Sequence, residues 1–518
     1  MRRPGALSEV SRLKWPSPSP APNPALDKAI PSPLRRPALS LFTDLAFEAG
    51  VVARSVADYF SGGALRLGVT GLSQAGKTVF IAALVDNLVN AGRLPVLRAA
   101  AEGRIARVRL EPQPDDAVPR FPYEDHQAAI AAERRWPQST RRVSQLRVAI
   151  DFERAGAWGG AKAQSLNLDI VDYPGEWLLD LALLGKSYAD WSRETIAAAR
   201  AKARAPLAAD WNRLLASLDP AAAAEEADAL KAAELFTAYL RQARDRTYAL
   251  STLPPGRFLM PGDLEGSPAL TFAPLPLDEG AEIAPGSLAA MMERRYEAYK
   301  THVARPFFRD HFARLDRQIV LVDLLAALNS GPGALADLET ALDGVTRAFR
   351  AGRASTLGAI FRPRIDRILF AATKADHLHH ADHDRLEAAL RLMTARAIAR
   401  AEGLGTSIDV VALAAVRATR EAEIRHDGET LPAIVGTPEA GEKIAGQVFD
   451  GIAEAAVFPG RLPDDPAAAI SGEALALPEA DNDWRFVRFR PPLAGRGAPP
   501  PHIRLDRALQ FLIGDRLA

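Results

Sequence analysis

The sequence predicts an α/β fold in which a mostly parallel β-sheet is flanked by helices. Short apolar runs alternate with segments of helical period along much of the 518 residues, a pattern typical of parallel strands joined by crossover helices. The runs 144–153 and 165–172 are separated by a turn rich in Gly and Ala, which predicts an antiparallel hairpin at one edge of the sheet. An Ala-rich stretch over 177–250 interrupts the alternation and predicts a large α-helical insertion.

Composition excludes several classes of protein. The 64 Lys and Arg residues balance the 64 Asp and Glu residues, and this zero net charge argues against capture of nucleic acid by the whole chain. The absence of Cys excludes disulfides, thiol catalysis and Cys-ligated zinc. The sequence has no uncharged apolar run of about 18 residues, and its N-terminus lacks the features of a signal peptide. We therefore expect a cytoplasmic protein without a transmembrane segment, and peripheral contact with the inner membrane stays an open alternative.

The N-terminal residues precede the first predicted strand. Residues 1–37 are rich in Pro, Ser and Arg without periodicity, so we expect a disordered tail. Residues 39–60 carry apolar side chains at helical spacing with acidic residues between them, which predicts an amphipathic helix. A helix bound to a membrane surface normally has a basic polar face, so the acidic face favours packing against the rest of the chain.

A glycine-rich turn follows the first predicted strand, within residues 65–85. It has the pattern G-x-x-x-x-G-K-[ST], in which Gly71 and Gly76 let the backbone turn tightly and direct successive N–H groups at a phosphate. Lys77 can reach the β- and γ-phosphates, and the Thr78 hydroxyl can ligate Mg²⁺. The pattern predicts a phosphate-binding loop, or P-loop, for a nucleoside triphosphate. The predicted phosphate-binding residues are Gly71, Ser73, Gln74, Ala75, Gly76, Lys77, Thr78 and Val79.

The remaining predicted elements follow from hydrophobic periodicity and from the positions of Pro and Gly. Helices of the insertion are expected to break near Pro206 and Pro220, and the Pro/Gly-rich residues 253–286 are expected to be loop. The tail after residue 416 is expected to contain a polar loop with short β-like pieces before a closing helix. The predicted strands are 104–110, 318–325, 366–372 and 408–413, and the predicted helices are 78–90, 124–135, 287–317, 332–350, 382–401 and 504–517.

A carboxylate near Mg²⁺ is the second part that a triphosphate site needs. Asp172 ends an apolar strand and begins the motif D-x-x-G, in which we expect Asp172 to hold the metal shell and the Gly175 N–H to contact the γ-phosphate. Asp323 also ends an apolar strand and is a competing candidate. Asp172 is favoured because the turn residues Pro174 and Gly175 follow it at once.

The motif T-K-x-D, at residues 373–376, follows another predicted strand. The Asp376 carboxylate can accept two N–H bonds from a guanine edge, while the stem of Lys374 packs over the base plane beside Thr373. The alternative is a solvated pair of loop charges. The order of the motifs along the chain favours recognition of the base.

The order P-loop, Thr-bearing loop, D-x-x-G, T-K-x-D and short Ala-rich turn resembles that of Ras-like GTPases. The longer stretches WPQSTRR, DYPGEWLLDL, LPPGRFLMPGDL, TKADHLHH, AAVRAT and PHIRLDRALQFLIGD look like the YcjX family of bacterial P-loop proteins. This resemblance extends from about Leu39 to the C-terminus. It implies a P-loop NTPase fold with a Ras-like core and a helical insertion.

The resemblance also implies a function and further site residues. It implies binding of GTP and GDP with Mg²⁺, although such proteins are commonly labelled ATPases, and a stress-associated role beside a partner that is a membrane protein. Carried over to this chain, Thr140 is the switch threonine that closes on Mg²⁺ with Thr78 and Asp172. The main-chain N–H groups of residues 414–416 (Ala414, Ala415 and Val416) back the base.

The chain departs from the Ras-like pattern where the attacking water is oriented. Ras-like enzymes often place Gln directly after D-x-x-G, whereas this chain has Glu176, a carboxylate that a triphosphate repels. We keep Glu176 as a candidate catalytic group with Lys77 and Thr140. An arginine that accelerates hydrolysis from within the chain could be Arg257, Arg141 or Arg142, and otherwise a protein partner or a dimer would supply it.

The resulting hypothesis is a GTP-binding switch that hydrolyses GTP slowly. The alternatives are an ATPase of the same class and a nucleotide-stabilised scaffold without turnover. The expected parts are a disordered tail over 1–37, the first part of a nucleotide-binding domain over 38–175, a helical insertion domain over 176–317, the second part of the nucleotide-binding domain over 318–416, and a C-terminal extension over 417–518 that packs on the core.

Overall fold

The structure is a computed structural model. The predicted tail over 1–37 and the predicted amphipathic helix over 39–60 lie outside the residues that it describes. The described residues are 64–71, 75–113, 115–138, 142–154, 162–202, 204–245, 250–280, 282–348, 365–403, 405–426, 428–444, 446–471, 486–493 and 498–518.

A seven-stranded sheet forms the centre of the fold, in the order β2-β3-β4-β1-β5-β6-β7. All adjacent pairs from β4 to β7 are parallel, and β3 runs antiparallel to both of its neighbours. The predicted antiparallel hairpin is confirmed, because β3 and β4 pair from Ser144 opposite Asp172 to Arg154 opposite Lys162, but β2 and not the hairpin forms this edge of the sheet. The strands are β1 (Leu65–Gly71), β2 (Ile105–Glu111), β3 (Ser144–Arg154), β4 (Lys162–Asp172), β5 (Arg317–Val322), β6 (Arg367–Ala372) and β7 (Ser407–Ala412).

Helices cover both faces of the sheet and fill the insertion between β4 and β5. The helices are α1 (Lys77–Val89), α2 (Arg98–Ala101), α3 (Tyr123–Ala131), α4 (Trp177–Leu181), α5 (Tyr188–Arg200), α6 (Ala209–Leu215), α7 (Glu226–Ala243), α8 (Gly256–Leu259), α9 (Leu288–Tyr299), α10 (Arg305–Asp310), α11 (Leu324–Ser330), α12 (Pro332–Ala348), α13 (His383–Met393), α14 (Ala395–Glu402), α15 (Pro466–Ser471) and α16 (Leu505–Ile513). Within the described part of the chain, none of these helices combines the length and apolar character needed to span a lipid bilayer.

The central strands are apolar because both of their faces are covered. Every residue of β5 is buried, as are the last five residues of β6. Alternate side chains point to opposite faces, so that Val320 and Val322 belong to one apolar cluster while Ile319 and Leu321 belong to the other. The second cluster is closed by the C-terminal helix α16.

The strand β5 is shorter than predicted. It ends at Val322 instead of continuing to residue 325, and α11 begins at Leu324. Asp323 causes the change, because its carboxylate accepts the N–H of Ala326 at 3.1 Å and so caps the helix. Two apolar elements that meet at one capping residue therefore look like a single longer strand in the sequence.

The helices of the insertion surround an aromatic core. Trp191 stacks on Tyr296 with ring centroids 5.0 Å apart, and Trp211 stacks on Tyr239 at 5.6 Å. All four side chains are buried. The predicted breaks near Pro206 and Pro220 agree with the gaps between α5, α6 and α7. Aromatic pairs of this kind add to the free energy gained from apolar burial.

The chain after residue 416 differs from the predicted polar loop. It contains a three-stranded antiparallel sheet, in the order β12-β9-β8, and a short ribbon of β10 and β11. Side chains of Glu421 and Glu423 are exposed while those of Ala422 and Ile424 are half-buried, the alternation of a strand with one solvated face. These strands are β8 (Arg420–His426), β9 (Glu429–Gly436), β10 (Lys443–Ile444), β11 (Gln447–Val448) and β12 (Ala455–Val457).

The carboxyl ends of the parallel strands meet at one edge of the sheet. The P-loop follows β1, the D-x-x-G motif follows β4, and T-K-x-D follows β6. Because β1 lies between β4 and β5, this edge has the arrangement in which α/β proteins bind their ligands. The sheet order and the position of the P-loop confirm the predicted P-loop NTPase fold.

Candidate functional site

A cleft of about 630 Å³ lies at the carboxyl edge of the sheet. One wall is formed by the P-loop and the start of α1, and the opposite end by T-K-x-D and the residues after β7. The insertion contributes residues from the end of α7, and the C-terminal extension contributes Glu439, Arg488 and Phe489. The cleft is therefore lined by the described P-loop residues, by T-K-x-D, by the segment after β7, and by Glu176, which directly follows D-x-x-G.

The described part of the P-loop has the geometry that its glycines predict. Gly76 has φ of +80°, a conformation that side-chain-bearing residues rarely adopt. Its carbonyl accepts the N–H of Phe80 at 2.9 Å, so α1 begins directly at the loop. Ala75, Lys77, Thr78 and Val79 line the cleft beside Gly76. The predicted residues Ser73 and Gln74 lie outside the described residues.

The predicted phosphate-binding and metal-binding groups lie together. Lys77 Nζ is 3.2 Å from Asp172 Oδ1, and the carboxylate is almost fully buried at 1% exposure. The register explains the contact, because Asp172 at the end of β4 lies beside Val69 of β1, shortly before the P-loop. Buried carboxylates need a partner of this kind.

The donor set at this end fits a magnesium ion. The Thr78 hydroxyl and the Asp172 carboxylate are hard oxygen ligands on adjacent segments, and Mg²⁺ prefers such ligands together with phosphate oxygens and water. Thr140, the third predicted metal ligand, lies outside the described residues. The fit therefore depends on Thr78 and Asp172.

Gly175 is packed directly against the P-loop. A Cβ atom at this position would lie 1.9 Å from the Gly71 carbonyl oxygen, a distance that no side chain tolerates. On the other side, a Cβ atom at Gly256 of the insertion would lie 2.0 Å from the carbonyl oxygen of Glu176. The segment after Asp172 is therefore held between the P-loop and the insertion by two close backbone contacts.

Asp323, the competing candidate for the carboxylate near Mg²⁺, is engaged in other contacts. Its carboxylate caps α11 at Ala326 and pairs with the Lys374 ammonium. It follows β5, on the side of β1 away from β4. The geometry therefore favours Asp172 over Asp323 as the carboxylate next to Lys77, the predicted phosphate-binding lysine.

The T-K-x-D motif forms the other end of the cleft. Lys374 has φ of +61°, and Asp376 is buried at 4% exposure with Oδ2 accepting the Ala418 N–H at 2.9 Å. This bond fixes the orientation of the carboxylate. The Thr419 hydroxyl donates to the Asp376 carbonyl at 2.5 Å, and the Thr373 N–H donates to the Val322 carbonyl at 2.9 Å.

The main-chain N–H groups of residues 414–416, which follow β7, were predicted to face the base. The N–H of Ala414 does not fit this prediction. The N–H of Ala414 donates to the Ile503 carbonyl at 3.1 Å, and the Ala414 carbonyl accepts the Ile503 N–H at 2.8 Å. Ala414 is thus bound into the C-terminal extension. Ala415 and Val416 line the cleft next to Asp376, where a base edge would lie.

Glu176 is paired with a residue that sequence reasoning missed. Arg244 Nη2, just after α7, lies 2.6 Å from Glu176 Oε1, and both residues line the cleft. The guanidinium compensates the carboxylate that a triphosphate would otherwise repel. The sequence holds only a weak signal for this role, the pair Arg241 and Arg244 at one-turn spacing near the end of a helix.

The arginines proposed from the sequence lie elsewhere or are not described. The Arg257 guanidinium lies 3.2 Å from the Trp177 ring centroid and 3.0 Å from Asp263, and burial lowers its pKa. Arg142 is exposed to solvent, and Arg141 lies outside the described residues. Among the described residues of the insertion, Arg244 and Arg241 are the arginines that line the cleft.

Aromatic residues at the base end were also missed. The Trp136 indole N–H donates to the Phe489 carbonyl at 2.7 Å, and the Phe489 ring meets His377 edge-on at 5.8 Å. All three line the cleft. Phe489 belongs to a stretch that the sequence shows only as an isolated β-like piece, so its approach to T-K-x-D depends on packing between distant segments.

Known proteins resemble the chain over most of its length. The sequence profile of the YcjX-like family, DUF463, matches residues 65–517. A relative from Escherichia coli (strain K12), named Ras-like GTPase YcjX, is 38% identical over 465 residues, which cover 88% of this chain and 96% of the relative. A relative of the same name from Shewanella oneidensis is 35% identical over 485 residues, which cover 88% of this chain and 94% of that protein. The chain therefore belongs to the YcjX-like family, as the resemblance of its motifs predicted.

Proposed function

We propose that this protein binds GTP and hydrolyses it slowly with Mg²⁺, and that it acts as a nucleotide-controlled switch. The observation that carries the proposal is a cleft lined both by Lys77, which pairs with the buried Asp172, and by Asp376, whose carboxylate is held by the Ala418 N–H. The names of the relatives from Escherichia coli and Shewanella oneidensis, Ras-like GTPase YcjX, support the same class of function.

In this proposal the phosphates are bound by main-chain N–H groups and by Lys77. Oxygens of Thr78, Thr140 and Asp172 would hold Mg²⁺, which would supply positive charge against the negative charge of the β- and γ-phosphates. The N–H of Gly175 contacts the γ-phosphate. The other proposed phosphate-binding residues are Gly71, Ser73, Gln74, Ala75, Gly76 and Val79.

The base end favours guanine over adenine on chemical grounds. The Asp376 carboxylate only accepts hydrogen bonds, and guanine offers two donors on its Watson–Crick edge, N1–H and the N2 amino group. Adenine places an unprotonated N1 acceptor there, which the carboxylate would repel. Thr373 and Lys374 flank the base, and Ala415 and Val416 lie behind it.

Turnover is expected to be slow. Glu176 follows D-x-x-G where a glutamine often orients the attacking water, and its carboxylate is held by Arg244 rather than directed at a water. A slow intrinsic rate leaves control to a protein partner or to dimerisation. The stress-associated role and the membrane-protein partner that the family resemblance implies belong to this proposal.

Isothermal titration of the full chain with Mg²⁺ and GTP, GDP or ATP tests the proposal. We expect GTP and GDP to bind, ATP to bind much more weakly, and phosphate to be released slowly from GTP. Lys77→Ala should weaken GTP binding by about 10-fold or more, since it removes a charged contact to phosphate. Lys231→Ala is the matched control, because this lysine lies on the exposed surface of α7 in a pair with Glu234.

Each alternative function has its own outcome in these measurements. Equal binding and hydrolysis of ATP would favour an ATPase. Binding of GTP without phosphate release, with Mg²⁺ and K⁺ present, would favour a nucleotide-stabilised scaffold. A well-folded wild-type protein that binds no nucleotide would contradict the proposal altogether.

A further inference from the structure

Arg244 belongs to the helical insertion but reaches the cleft. It follows α7 directly, its side chain is 20% exposed, and Nη2 lies 2.6 Å from Glu176 Oε1. This places a permanently charged group from the insertion on the segment that follows D-x-x-G. The insertion thus supplies a charged side chain to the cleft, in addition to the close backbone packing of Gly256.

The contact lies at the phosphate end of the cleft. Glu176 follows Gly175, whose backbone touches the Gly71 carbonyl at the start of the P-loop. Asp376, the proposed guanine-binding residue, follows β6, three strand positions from β4 in the sheet. The Arg244 contact is therefore made next to D-x-x-G, the motif proposed to contact the γ-phosphate, and not next to T-K-x-D.

The chemistry of the guanidinium allows it to serve two anions. Arginine has five N–H donors in a planar fork; here Nη2 holds the Glu176 carboxylate and Nη1 donates to the Met260 sulfur at 3.2 Å. A phosphate oxygen is a much stronger acceptor than a thioether sulfur, so it can replace Met260 as the partner of Nη1. A carboxylate alone would repel the phosphate, whereas the Glu176–Arg244 pair presents donors to it. We propose that Arg244 is the catalytic arginine for GTP hydrolysis, supplied by the helical insertion of the same chain.

This inference rests on the proposed GTPase function. In the reaction, the oxygen of a water molecule forms a bond to the γ-phosphorus while the bond from this phosphorus to the bridging oxygen breaks. The bridging oxygen keeps the electron pair and leaves as part of GDP, and the water protons pass to the released phosphate and to solvent. Negative charge grows on the bridging and γ-oxygens, and Arg244 N–H donors stabilise it.

The test compares Arg244→Gln with the wild type and with Arg213→Gln. Arg213 is a suitable control because it lies in the same insertion, is 78% exposed and pairs only locally with Asp210. Three quantities are measured on the full chain: GTP affinity by titration, single-turnover phosphate release, and binding of GDP with Mg²⁺ and aluminium fluoride, which mimics the planar phosphoryl group.

We expect Arg244→Gln to lower single-turnover hydrolysis by about 10³-fold or more, the range found for arginines that act on the γ-phosphate. Its GTP affinity should stay within about 10-fold of the wild type, because the P-loop contacts are unchanged. Binding of GDP with aluminium fluoride should be lost, since this complex needs the contact of the transition state. Arg213→Gln should behave as the wild type in all three measurements.

A second background separates a catalytic arginine from one that only neutralises Glu176. In Glu176→Gln the carboxylate is gone, so adding Arg244→Gln should still lower hydrolysis if the guanidinium acts on phosphate. The double variant also avoids a buried unpaired carboxylate, so it is expected to fold even if Arg244→Gln alone does not.

The outcomes are distinct. Unchanged hydrolysis in Arg244→Gln, or an effect that vanishes in the Glu176→Gln background, overturns this inference and leaves the GTPase proposal intact. Failure of the wild type to bind GTP overturns the proposed function and this inference with it. GTP binding without any wild-type turnover overturns the catalytic role of Arg244 but keeps nucleotide binding.

Discussion

The carboxylates of the three candidate aspartates each have an ion-pair or hydrogen-bond partner, and this partner determines which further ligand the carboxylate can bind. Asp172 lies beside Lys77, Asp323 caps a helix and pairs with Lys374, and Asp376 accepts the Ala418 N–H. Buried carboxylates without such partners would cost free energy, so the fold has to assign one to each. These contacts give a second reason, besides the turn residues that follow Asp172, to favour Asp172 over Asp323 as the metal-binding carboxylate.

At this scale, Asp376→Asn tests how the base is recognised. The amide keeps an oxygen that can accept the Ala418 N–H, but it replaces one acceptor for guanine with an N–H donor. Loss of a hydrogen bond to a charged group should weaken GTP binding by about 10- to 100-fold. Binding of xanthosine triphosphate should become stronger, because xanthine has a carbonyl oxygen where guanine has its amino group.

Titration of GTP and of xanthosine triphosphate into the wild type and into Asp376→Asn measures this change in base preference. Asp384→Asn is the control, since Asp384 follows T-K-x-D closely in the chain but has an exposed side chain that pairs with Arg504. An unchanged preference for GTP in Asp376→Asn would show that T-K-x-D does not recognise the base.

Asp180 provides a pH-dependent contribution to stability behind the cleft. Burial raises the pKa of the Asp180 carboxyl to about 7. Hydrogen bonds from Tyr299 and from the Gly256 N–H, together with the nearby charge of Arg257, lower the pKa and so oppose this rise. Between about pH 4 and pH 7 the folded protein therefore holds a proton that the unfolded chain releases. The free energy of unfolding should fall as the pH rises through this window.

Asp180→Asn should remove this part of the pH dependence. Between pH 5 and pH 8 the free energy of unfolding of the wild type should fall by about 2–3 kcal/mol more than that of the variant. This figure follows because one unit of pKa shift corresponds to about 1.36 kcal/mol. Denaturant unfolding of both proteins at several pH values measures the difference. Parallel curves for the two proteins would show that Asp180 is ionised throughout this range.

At the scale of elements, the segment after β4 is built into the insertion as well as into the site. Gly175 touches the P-loop, the Glu176 carbonyl touches Gly256, and the Trp177 indole N–H donates to the Met260 carbonyl at 2.9 Å. The short helix α4 therefore cannot shift without disturbing the insertion. A change in the conformation of Gly175 would be transmitted to the rest of the insertion through these contacts.

Gly256→Ala tests the closeness of this packing. The added methyl group would lie 2.0 Å from the Glu176 carbonyl oxygen, so the backbone must move and the free energy of unfolding should fall by about 1–3 kcal/mol. Gly344→Ala is the matched control, because its Cβ would meet no atom within 4 Å inside α12. That change should instead stabilise the protein by about 0.5–1 kcal/mol.

Thermal or denaturant unfolding of the two variants compares them directly. Equal stability would show that α8 and the segment after β4 can separate without cost.

The elements that sequence analysis predicted are those with local signals. The strands of the central sheet have continuous apolar runs, and the P-loop and T-K-x-D have fixed residue spacings, so their positions follow from the chain alone. The strands β8 and β9 were missed although Glu421 and Ile424 belong to an alternating run and Gly428 follows Asp427, a common hairpin turn. The high charge of residues 420–426 led to the prediction of a loop, although β8 is a strand with one face in solvent.

Residues placed by long-range packing could not be predicted. Arg244 lies 68 positions after Glu176, and Phe489 lies far from Trp136 in the chain, yet each pair is in direct contact. No local pattern marks such pairs, because their approach depends on how the insertion and the C-terminal extension fold back over the cleft. The P-loop and T-K-x-D residues of the cleft could therefore be predicted from the sequence. Most of the residues that the insertion and the C-terminal extension add to the cleft could not.

At the scale of the whole molecule, three parts of the chain meet at one cleft. The segments that follow β1 and β6 at the edge of the sheet supply Lys77 and Asp376, the insertion supplies Arg244, and the C-terminal extension supplies Phe489. The extension is also joined to the core by α16 and by the Ala414–Ile503 bridge. A ligand in this cleft would contact all three parts at once.

Nucleotide binding should therefore stabilise the described parts of the chain together. At 100 times the dissociation constant, a ligand that binds only the folded state adds about 2.7 kcal/mol to the free energy of unfolding. We expect Mg²⁺ with GDP to raise the unfolding temperature and to slow amide hydrogen exchange near Gly76, Arg244 and Phe489 alike. Lys77→Ala should lose both effects, because the weakened phosphate contact lowers occupancy of the whole cleft by the nucleotide. Slower exchange confined to the P-loop would mean that the insertion and the extension do not contact the nucleotide, and the cleft would then be a narrower site than its lining suggests.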